Sequence, residues 1–278
     1  MKLKGLSILF LFIIIGSVQA QVKGEAEYLI RYEVDFILDS TNRADIKKEV
    51  HRLYTGSSVS YYASEASVLS DSIYQTISNK SRSAILGGAA SGPTSNFTPT
   101  VYKGFDKKEA WITYSILLDH YLYQDSDMPI NWNITEEVKE IGQYTVQKGT
   151  TNFGGRNFEA WFTLEVPIVD GPYVFGGLPG LIIELYDTNK DYHFNLASIT
   201  SLKEPYEVEI KGQNIKVSKE EIIKAYKKHL ENPGHSLTRR LPDDFRVTEA
   251  DGSVVTKRDI DRQARDNAAK KNNQIEHW

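Results

Sequence analysis

The chain has 278 residues, of which 40% are hydrophobic and 25% charged, and its formal net charge is −4. This charge argues against a nucleic-acid or anionic-membrane partner held by bulk electrostatics. Because the chain has no cysteine, disulfides, thiol nucleophiles and thiolate metal sites are excluded. A hydrophobic core must therefore stabilise the fold.

Residues 1–20 have the pattern of a secretory signal peptide. Lys2 and Lys4 give a positive start, and the apolar segment 6–18 is too short to span a bilayer. Val18 and Ala20 occupy the two positions that a signal peptidase reads, which predicts cleavage after Ala20. An uncleaved N-terminal anchor is the alternative. We expect an exported protein with no transmembrane span after cleavage.

The first half of the mature chain is predicted to consist mainly of strands. Apolar residues alternate with polar ones from Tyr28 to Leu38, which is typical of a half-buried strand. Turn signals and further short apolar runs favour hairpin pairing after it. The predicted elements are strands over 28–38, 49–54 and 58–62, a helix over 64–77, a mobile loop over 79–95 and at least two strands within 100–124.

The most regular pattern begins at Arg156. Phe158, Ala160 and Phe162 share one parity of a predicted strand that reaches Val166. Residues 181–186 are apolar on both parities apart from one glutamate, as in a central strand covered on both faces. Residues 192–200 are its predicted hairpin partner.

The C-terminal region changes from strands to helices. Ser218 and Glu221 form a capping box, which predicts a helix over Lys219–Leu230. A second helix, about Lys257–Lys271, has a thin apolar stripe and is expected at the periphery. We therefore divide the chain into a signal peptide (1–20), a β-rich core domain (21–217) and a C-terminal helical region (218–278) packed on the core or peripheral to it.

The predicted fold class is mainly β, a β-rich α+β fold. We expect a strongly curved antiparallel sheet or a partly open barrel with a few helices, two of them C-terminal. No nucleophile elbow, phosphate loop, zinc-helix motif or calcium loop occurs in the sequence. Asp125 and Asp127 are better explained as turn residues than as cation ligands. We predict no catalytic residue, metal or cofactor.

Two features are candidate contacts for a ligand or partner. Trp161 lies on the polar parity of its strand, so either another segment covers that face or the face lines a cleft. The loop Gly177, Leu178, Pro179, Gly180 suits a type II turn with positive φ at Gly180, and it either only turns the chain or presents backbone to a ligand.

The same region carries a family resemblance. Its motifs are Gly155-Arg156, Ala160-Trp161-Phe162-Thr163, Val166-Pro167, Gly171-Pro172, Phe175 and Gly177-Leu178-Pro179-Gly180-Leu181-Ile182. In these residues the chain resembles the GLPGLI family, and the resemblance is strongest over about 132–199. Many members have cysteine where Val146 stands and alanine where Gly149 stands, so a thiol role in relatives does not apply here.

The resemblance implies an exported protein of Bacteroidota, and hence the periplasm or surface of a Gram-negative cell. The family has no established activity, and its members are often encoded near TonB-dependent receptors, which makes such a receptor a candidate partner. By itself this supplies no catalytic residue.

Our main hypothesis is a non-catalytic envelope binding or accessory protein that takes an apolar or peptide-like ligand or an envelope partner. The alternative is a periplasmic hydrolase with carboxylates such as Asp170 or Glu184 in a cleft. Because Glu184 interrupts an apolar strand, it needs a partner, and we predict a structural ion pair with Arg156. An outer-membrane barrel, suggested by the alternating strands and Trp278, fits poorly with the capped helix after Ser218.

Overall fold

The computed structural model describes residues 22–78, 92–104, 107–116, 119–234, 238, 241–248 and 251–276. The predicted signal peptide, Trp278 and most of the predicted mobile loop lie outside these ranges.

Fourteen strands and three helices lie in the described residues. The strands are β1 (Lys23–Ile37), β2 (Ile46–Thr55), β3 (Ser60–Ser64), β4 (Thr100–Gly104), β5 (Glu109–Ile116), β6 (Asp119–Gln124), β7 (Asn133–Ile141), β8 (Tyr144–Phe153), β9 (Arg156–Thr163), β10 (Leu181–Asp187), β11 (Tyr192–Glu209), β12 (Ile215–Lys216), β13 (Arg246–Thr248) and β14 (Val254–Thr256). The helices are α1 (Glu65–Ser78), α2 (Lys219–Glu231) and α3 (Lys257–Ala269).

Twelve strands form one sheet in the order β12-β6-β5-β4-β3-β2-β1-β11-β10-β9-β8-β7, and β13 and β14 form a separate hairpin. Neighbours are antiparallel except the short pair β12 and β6. Since β7 and β12 do not pair with each other, the sheet is not closed. Tyr114 of β5 and Phe158 of β9 nevertheless belong to the same core cluster, so the sheet must curve around it. The predicted mainly β fold class is confirmed.

Side-chain alternation explains the strands that surround the core. Phe158, Ala160 and Phe162 of β9 are buried, as their shared parity predicts. β10 pairs with β11, which confirms the predicted hairpin. β9 ends at Thr163 rather than at Val166, because Leu164 and the residues after it leave the ladder and begin the connection to β10.

The helices follow their end signals. α2 begins after Ser218, whose side chain accepts from Glu221 N in the predicted capping box. Ile222 is buried and Tyr226 packs edge-on against Tyr114 of the sheet, whereas α3 has no buried residue. The domain boundary at residue 217 stays a prediction. No helix of the described ranges combines the length and apolarity needed to cross a membrane.

The segment after α3 returns to the core, which the sequence did not predict. The Asn273 side chain donates to Ile37 O at 2.8 Å, and Tyr192 OH donates to Asn273 O at 2.7 Å. Glu276 is only 1% exposed. The C-terminal segment therefore contributes buried polar groups to the centre of the fold.

Candidate functional site

A cleft of about 620 Å³, here called the main cleft, lies where several strand ends meet. Its walls come from Glu27 and Tyr28 of β1, the β2–β3 turn with Thr55, Gly56 and Ser57, the β4–β5 turn with Lys107 and Lys108, the segment Met128–Ile130, and Pro167–Asp170, Gly176 and Gly177 of the β9–β10 connection. Segments distant in sequence thus form one concavity, the shape expected of a ligand site.

Beside this cleft lies a buried network of charges. Lys103 Nζ is 2.5 Å from Asp170 Oδ1, and both side chains are 0% exposed. Lys107 Nζ is 3.2 Å from Asp170 Oδ2. Thr55 Oγ1 donates to the same oxygen at 2.7 Å and accepts from Lys107 at 2.9 Å. We call Lys103, Lys107, Asp170 and Thr55 the lysine–aspartate network.

The network keeps its single carboxylate ionised. Burial opposes ionisation of Asp170, but the charges of Lys103 and Lys107, with hydrogen bonds from Lys103 and Thr55, hold its pKa well below the usual range. Burial lowers the pKa of Lys103, although the charge of Asp170 opposes this effect. Each oxygen of the Asp170 carboxylate therefore contacts one lysine.

The network also supports the glycine-rich wall of the cleft. Lys103 Nζ donates to Gly171 O at 2.8 Å and to Phe175 O at 3.2 Å. Trp132 Nε1 donates to Gly176 O at 2.8 Å. A Cβ on Gly176 would lie 3.7 Å from Asp170 Oδ1, so the backbone of this wall rests directly on the charged pair.

Only one of the four loop residues predicted to contact a ligand lies in the wall of the main cleft. Gly177 lines the main cleft, whereas Leu178, Pro179 and Gly180 do not. Leu178 is 1% exposed and packs in the core. Pro179 is exposed.

The predicted type II turn with positive φ at Gly180 is wrong. The positive φ, +85°, is at Gly177, and Gly180 is outside that region. A Cβ on Gly180 would lie 1.9 Å from Thr163 O, so a close approach to β9 requires this glycine.

Trp161 is covered rather than open. Its residue exposure is 7%, and Lys139 Nζ lies 4.0 Å from its ring centroid. Trp161 Nε1 donates to Tyr186 OH at 3.4 Å. Trp161 is not in the wall of the main cleft, so the two sequence-derived candidates do not form one site.

The predicted Arg156–Glu184 ion pair does not form. Arg156 Nη1 instead lies 3.1 Å from Asp187 Oδ2 and 3.0 Å from Asp191 Oδ2. Strand register is the reason, because Asp187 of β10 pairs with Phe158 near the start of β9, whereas Glu184 pairs with a residue farther along it. Glu184 contacts Lys139 at 3.0 Å and His193 at 2.9 Å.

A second charged cluster, here called the carboxylate cluster, surrounds Lys219 at the start of α2. Lys219 Nζ lies 2.8 Å from Asp125 Oδ1, 2.7 Å from Asp127 Oδ2 and 2.9 Å from Glu276 Oε2. Asp127 N also donates to Asp125 Oδ1 at 3.0 Å, as in the predicted turn. A neighbouring cavity of about 710 Å³, which shares the segment 128–130 with the main cleft, is lined in part by Asp127, Lys219 and Glu276.

In the carboxylate cluster the acids outnumber the base. Burial, opposed by Lys219 and assisted by Asp125, raises the pKa of Glu276. The Tyr173 hydroxyl donates to Glu276 Oε1 at 2.5 Å. A buried acid with a raised pKa beside a cavity is the arrangement that general acids use.

Sequence reasoning named Asp170 but missed its partners. Lys103 shares the inward parity of Val101 in β4, and both are 0% exposed, so a lysine on the apolar parity of a strand was the available signal. No sequence pattern marked Lys107. Its position depends on the conformation of the β4–β5 turn, in which its backbone is left-handed with φ +61°.

Comparison with known proteins gives a short family match and distant structural neighbours. Residues 154–184 match the family described as "Protein of unknown function (Porph_ging)". This span covers β9 and the first four residues of β10. A search of curated proteins found no match.

Two solved structures are similar to the chain. "Structure of PNGF-II in P21 space group" has 15% identity and a TM-score of 0.47 over 71% of this chain and 32% of that chain. "Structure of PNGF-II in C2 space group" has 16% identity and a TM-score of 0.45 over 70% and 31%. The chain thus spans about a third of the length of these structures, and neither likeness bears on what this chain does.

Proposed function

We propose that this protein is an exported binding or accessory protein of the cell envelope, and that the main cleft receives its ligand or partner. One observation carries the proposal, namely that a fully buried Lys103–Asp170 pair supports the backbone of the cleft wall. Burying an ion pair costs desolvation free energy unless its geometry compensates. The fold nevertheless places this pair where it holds the wall in position.

The chemistry of the walls favours an apolar or peptide-like occupant with an acceptor or negative group. Met128, Ile130 and Val169 offer apolar surface, and Lys107 and Lys108 offer positive charge. Gly177 is exposed in the cleft wall, and Gly176 beside it is buried. A mostly apolar concavity with a few placed polar groups is typical of binding sites.

The location and partner rest on the sequence. The pattern of residues 1–20 supports export with cleavage after Ala20, and the GLPGLI resemblance supports the periplasm or surface of a Gram-negative cell. The same resemblance makes a TonB-dependent receptor the first partner to test.

Filling the cleft tests the proposal. Val169 lines the cleft and is 51% exposed, and Leu164 lies outside it and is 67% exposed. We expect Val169→Trp to lower retention of the native envelope partner on immobilised protein about tenfold, the effect of losing roughly 1.4 kcal/mol of binding. The matched control Leu164→Trp should retain the partner as the parent does.

If circular dichroism shows both variants to be folded, equal retention of the partner by Val169→Trp and Leu164→Trp would show that the main cleft is not the binding site. Loss of retention only on changing Trp161 would move the site to the face of β9 that carries Trp161.

A hydrolase is the second candidate, favoured by the raised pKa of Glu276 beside a cavity. The residues first considered do not converge, since Asp170 contacts two lysines and Glu184 contacts Lys139 and His193. If a screen of glycoside and amide substrates finds turnover, Glu276→Gln should lower kcat at least about a hundredfold. The control Glu184→Gln should leave it unchanged, and the reverse pattern would contradict this assignment.

A further inference from the structure

The two edges of the large sheet differ in length and exposure. β7 pairs with β8 and with no other strand of the described residues, and none of its nine residues is buried. The opposite edge, β12, has two residues. An open edge of this length presents a row of backbone N–H and C=O groups to which another strand can pair.

The β7–β8 hairpin determines which backbone groups face that edge. Ile141 pairs with Tyr144 across the two-residue loop formed by Gly142 and Gln143, and Gly142 has φ +60°. In a two-residue hairpin the closing pair is hydrogen-bonded, and bonded and non-bonded pairs then alternate along the strands.

Alternation makes Glu140–Thr145 and Val138–Gln147 non-bonded pairs. The Thr145 N–H confirms this, since it points away from β7 and donates to Glu165 Oε1 at 3.1 Å. The backbone N–H and C=O groups of Val138 and Glu140 therefore point toward the open edge.

The side chains beside these groups have a definite chemistry. Ile134 and Val138 are opposite Gly149 and Gln147, two residues apart on β8, so they share one face. They are 45% and 60% exposed. The same strand has three exposed glutamates, Glu136, Glu137 and Glu140. Glu137 pairs with Lys148, and the one lysine of the strand, Lys139, pairs with Glu184. This leaves Glu136 and Glu140 without an ion-pair partner among the described residues, beside the two apolar side chains.

We propose that β7 accepts an extended, basic segment of another protein as an added strand, with apolar side chains on Ile134 and Val138 and lysines or arginines beside Glu136 and Glu140. Charge selects this occupant over a second copy of the chain, because β7 paired with β7 would bring glutamates of both copies together. The register shift between Ile134 and Val138 divides the β7–β8 pairing into residues 133–134 and 138–141. The added strand therefore pairs along 138–141, and Ile134 and Glu136 contribute side-chain contacts only. This surface is separate from the main cleft and does not depend on it.

Two synthetic peptides test the proposal on the full mature protein. The basic peptide alternates lysine with valine over seven residues, and the acidic peptide replaces each lysine with glutamate. We expect saturable binding of the basic peptide, at least about tenfold tighter than the acidic one and weaker at high salt. Binding should also slow amide exchange at Val138 and Glu140. Absent or equal binding of the two peptides would overturn the proposal.

Two variants of Val138 distinguish backbone pairing from non-specific electrostatic attraction. Val138→Pro removes an outward N–H that β8 does not use, and we expect about tenfold weaker binding of the basic peptide. Val138→Thr, which keeps the N–H and the branched side chain, should bind within about twofold of the parent. Equal affinity of Val138→Pro and Val138→Thr would refute strand addition.

A second variant covers the case in which the proline prevents folding. Glu136→Lys with Glu140→Lys leaves the backbone intact and should reverse the preference toward the acidic peptide. If the preference stays with the basic peptide, or if the parent protein self-associates through β7, the proposed occupant is wrong.

Discussion

The lysine–aspartate network and the carboxylate cluster each contain buried charges, although Asp127 of the second is 54% exposed, and their charge balance is opposite. Asp170 lies between two lysines, whereas Lys219 lies among three carboxylates. Accordingly the pKa of Asp170 is lowered against the effect of burial, whereas the pKa of Glu276 is raised in the same direction as burial acts. The first arrangement stabilises an ionised group that supports a wall, and the second leaves an acid poised to hold a proton.

The largest expected difference comes from neutralising one acid in each region. Asp170→Asn leaves Lys103 buried without its counter-charge and should lower the free energy of unfolding by about 3–5 kcal/mol. Glu276→Gln relieves repulsion among the carboxylates and should leave the free energy of unfolding at pH 7 unchanged or raise it. Urea unfolding of both variants at pH 7 checks this, and equal losses would show that the two regions do not differ as described.

Much of the fold follows from local sequence patterns, but the lysine–aspartate network and the carboxylate cluster do not. Parity predicted the buried face of β9, and the Ser218–Glu221 box predicted the start of α2. The β7–β8 hairpin was not predicted, because the exposed edge strand carries no apolar alternation.

The site depends on contacts between residues far apart in the chain. Lys103 and Asp170 are 67 positions apart, and Lys219 meets Asp125 across 94. Only tertiary folding brings such groups together, so a single sequence could single out Asp170, and Lys103 on the apolar parity of β4, but could not pair them. The Arg156–Glu184 prediction failed for the same reason, since a strand register decides which acid lies beside the arginine.

A smaller effect should come from the hydroxyl that links the network. Thr55→Val removes a donor to Asp170 and an acceptor from Lys107, and we expect a loss of about 1–2 kcal/mol in the free energy of unfolding. The control Thr150→Val, whose hydroxyl contact with Asn133 O is 3.5 Å long, should stay within about 0.5 kcal/mol. A loss no larger than that of the control would mean that the Thr55 hydroxyl does not help to stabilise the Asp170 carboxylate.

The last expected difference is the pH dependence that separates the two acids. The folded pKa of Glu276 lies above its ordinary 4.5, so its stabilising contribution is full below pH 4.5 and is lost as pH rises through the folded value. Asp170 behaves oppositely, since its lowered pKa gives a contribution that is present above its ordinary 3.8 and lost only as pH falls toward the folded value.

Glu276→Gln should therefore become more stable relative to the parent as pH rises from 4.5 to 7, by about 1.4 kcal/mol for each unit of pKa displacement. Urea unfolding across this range measures the difference. A constant difference between the variant and the parent would mean that Glu276 has the same pKa in both states.

Amide hydrogen exchange, with and without the envelope fraction that the immobilised mature protein retains, tests the central claim most directly. Occupation of the main cleft should slow exchange at Gly176, Gly177 and Lys108, with little change around Trp161 and Glu184. Slowed exchange at Trp161 and Glu184, with Gly176 and Gly177 unchanged, would contradict the account.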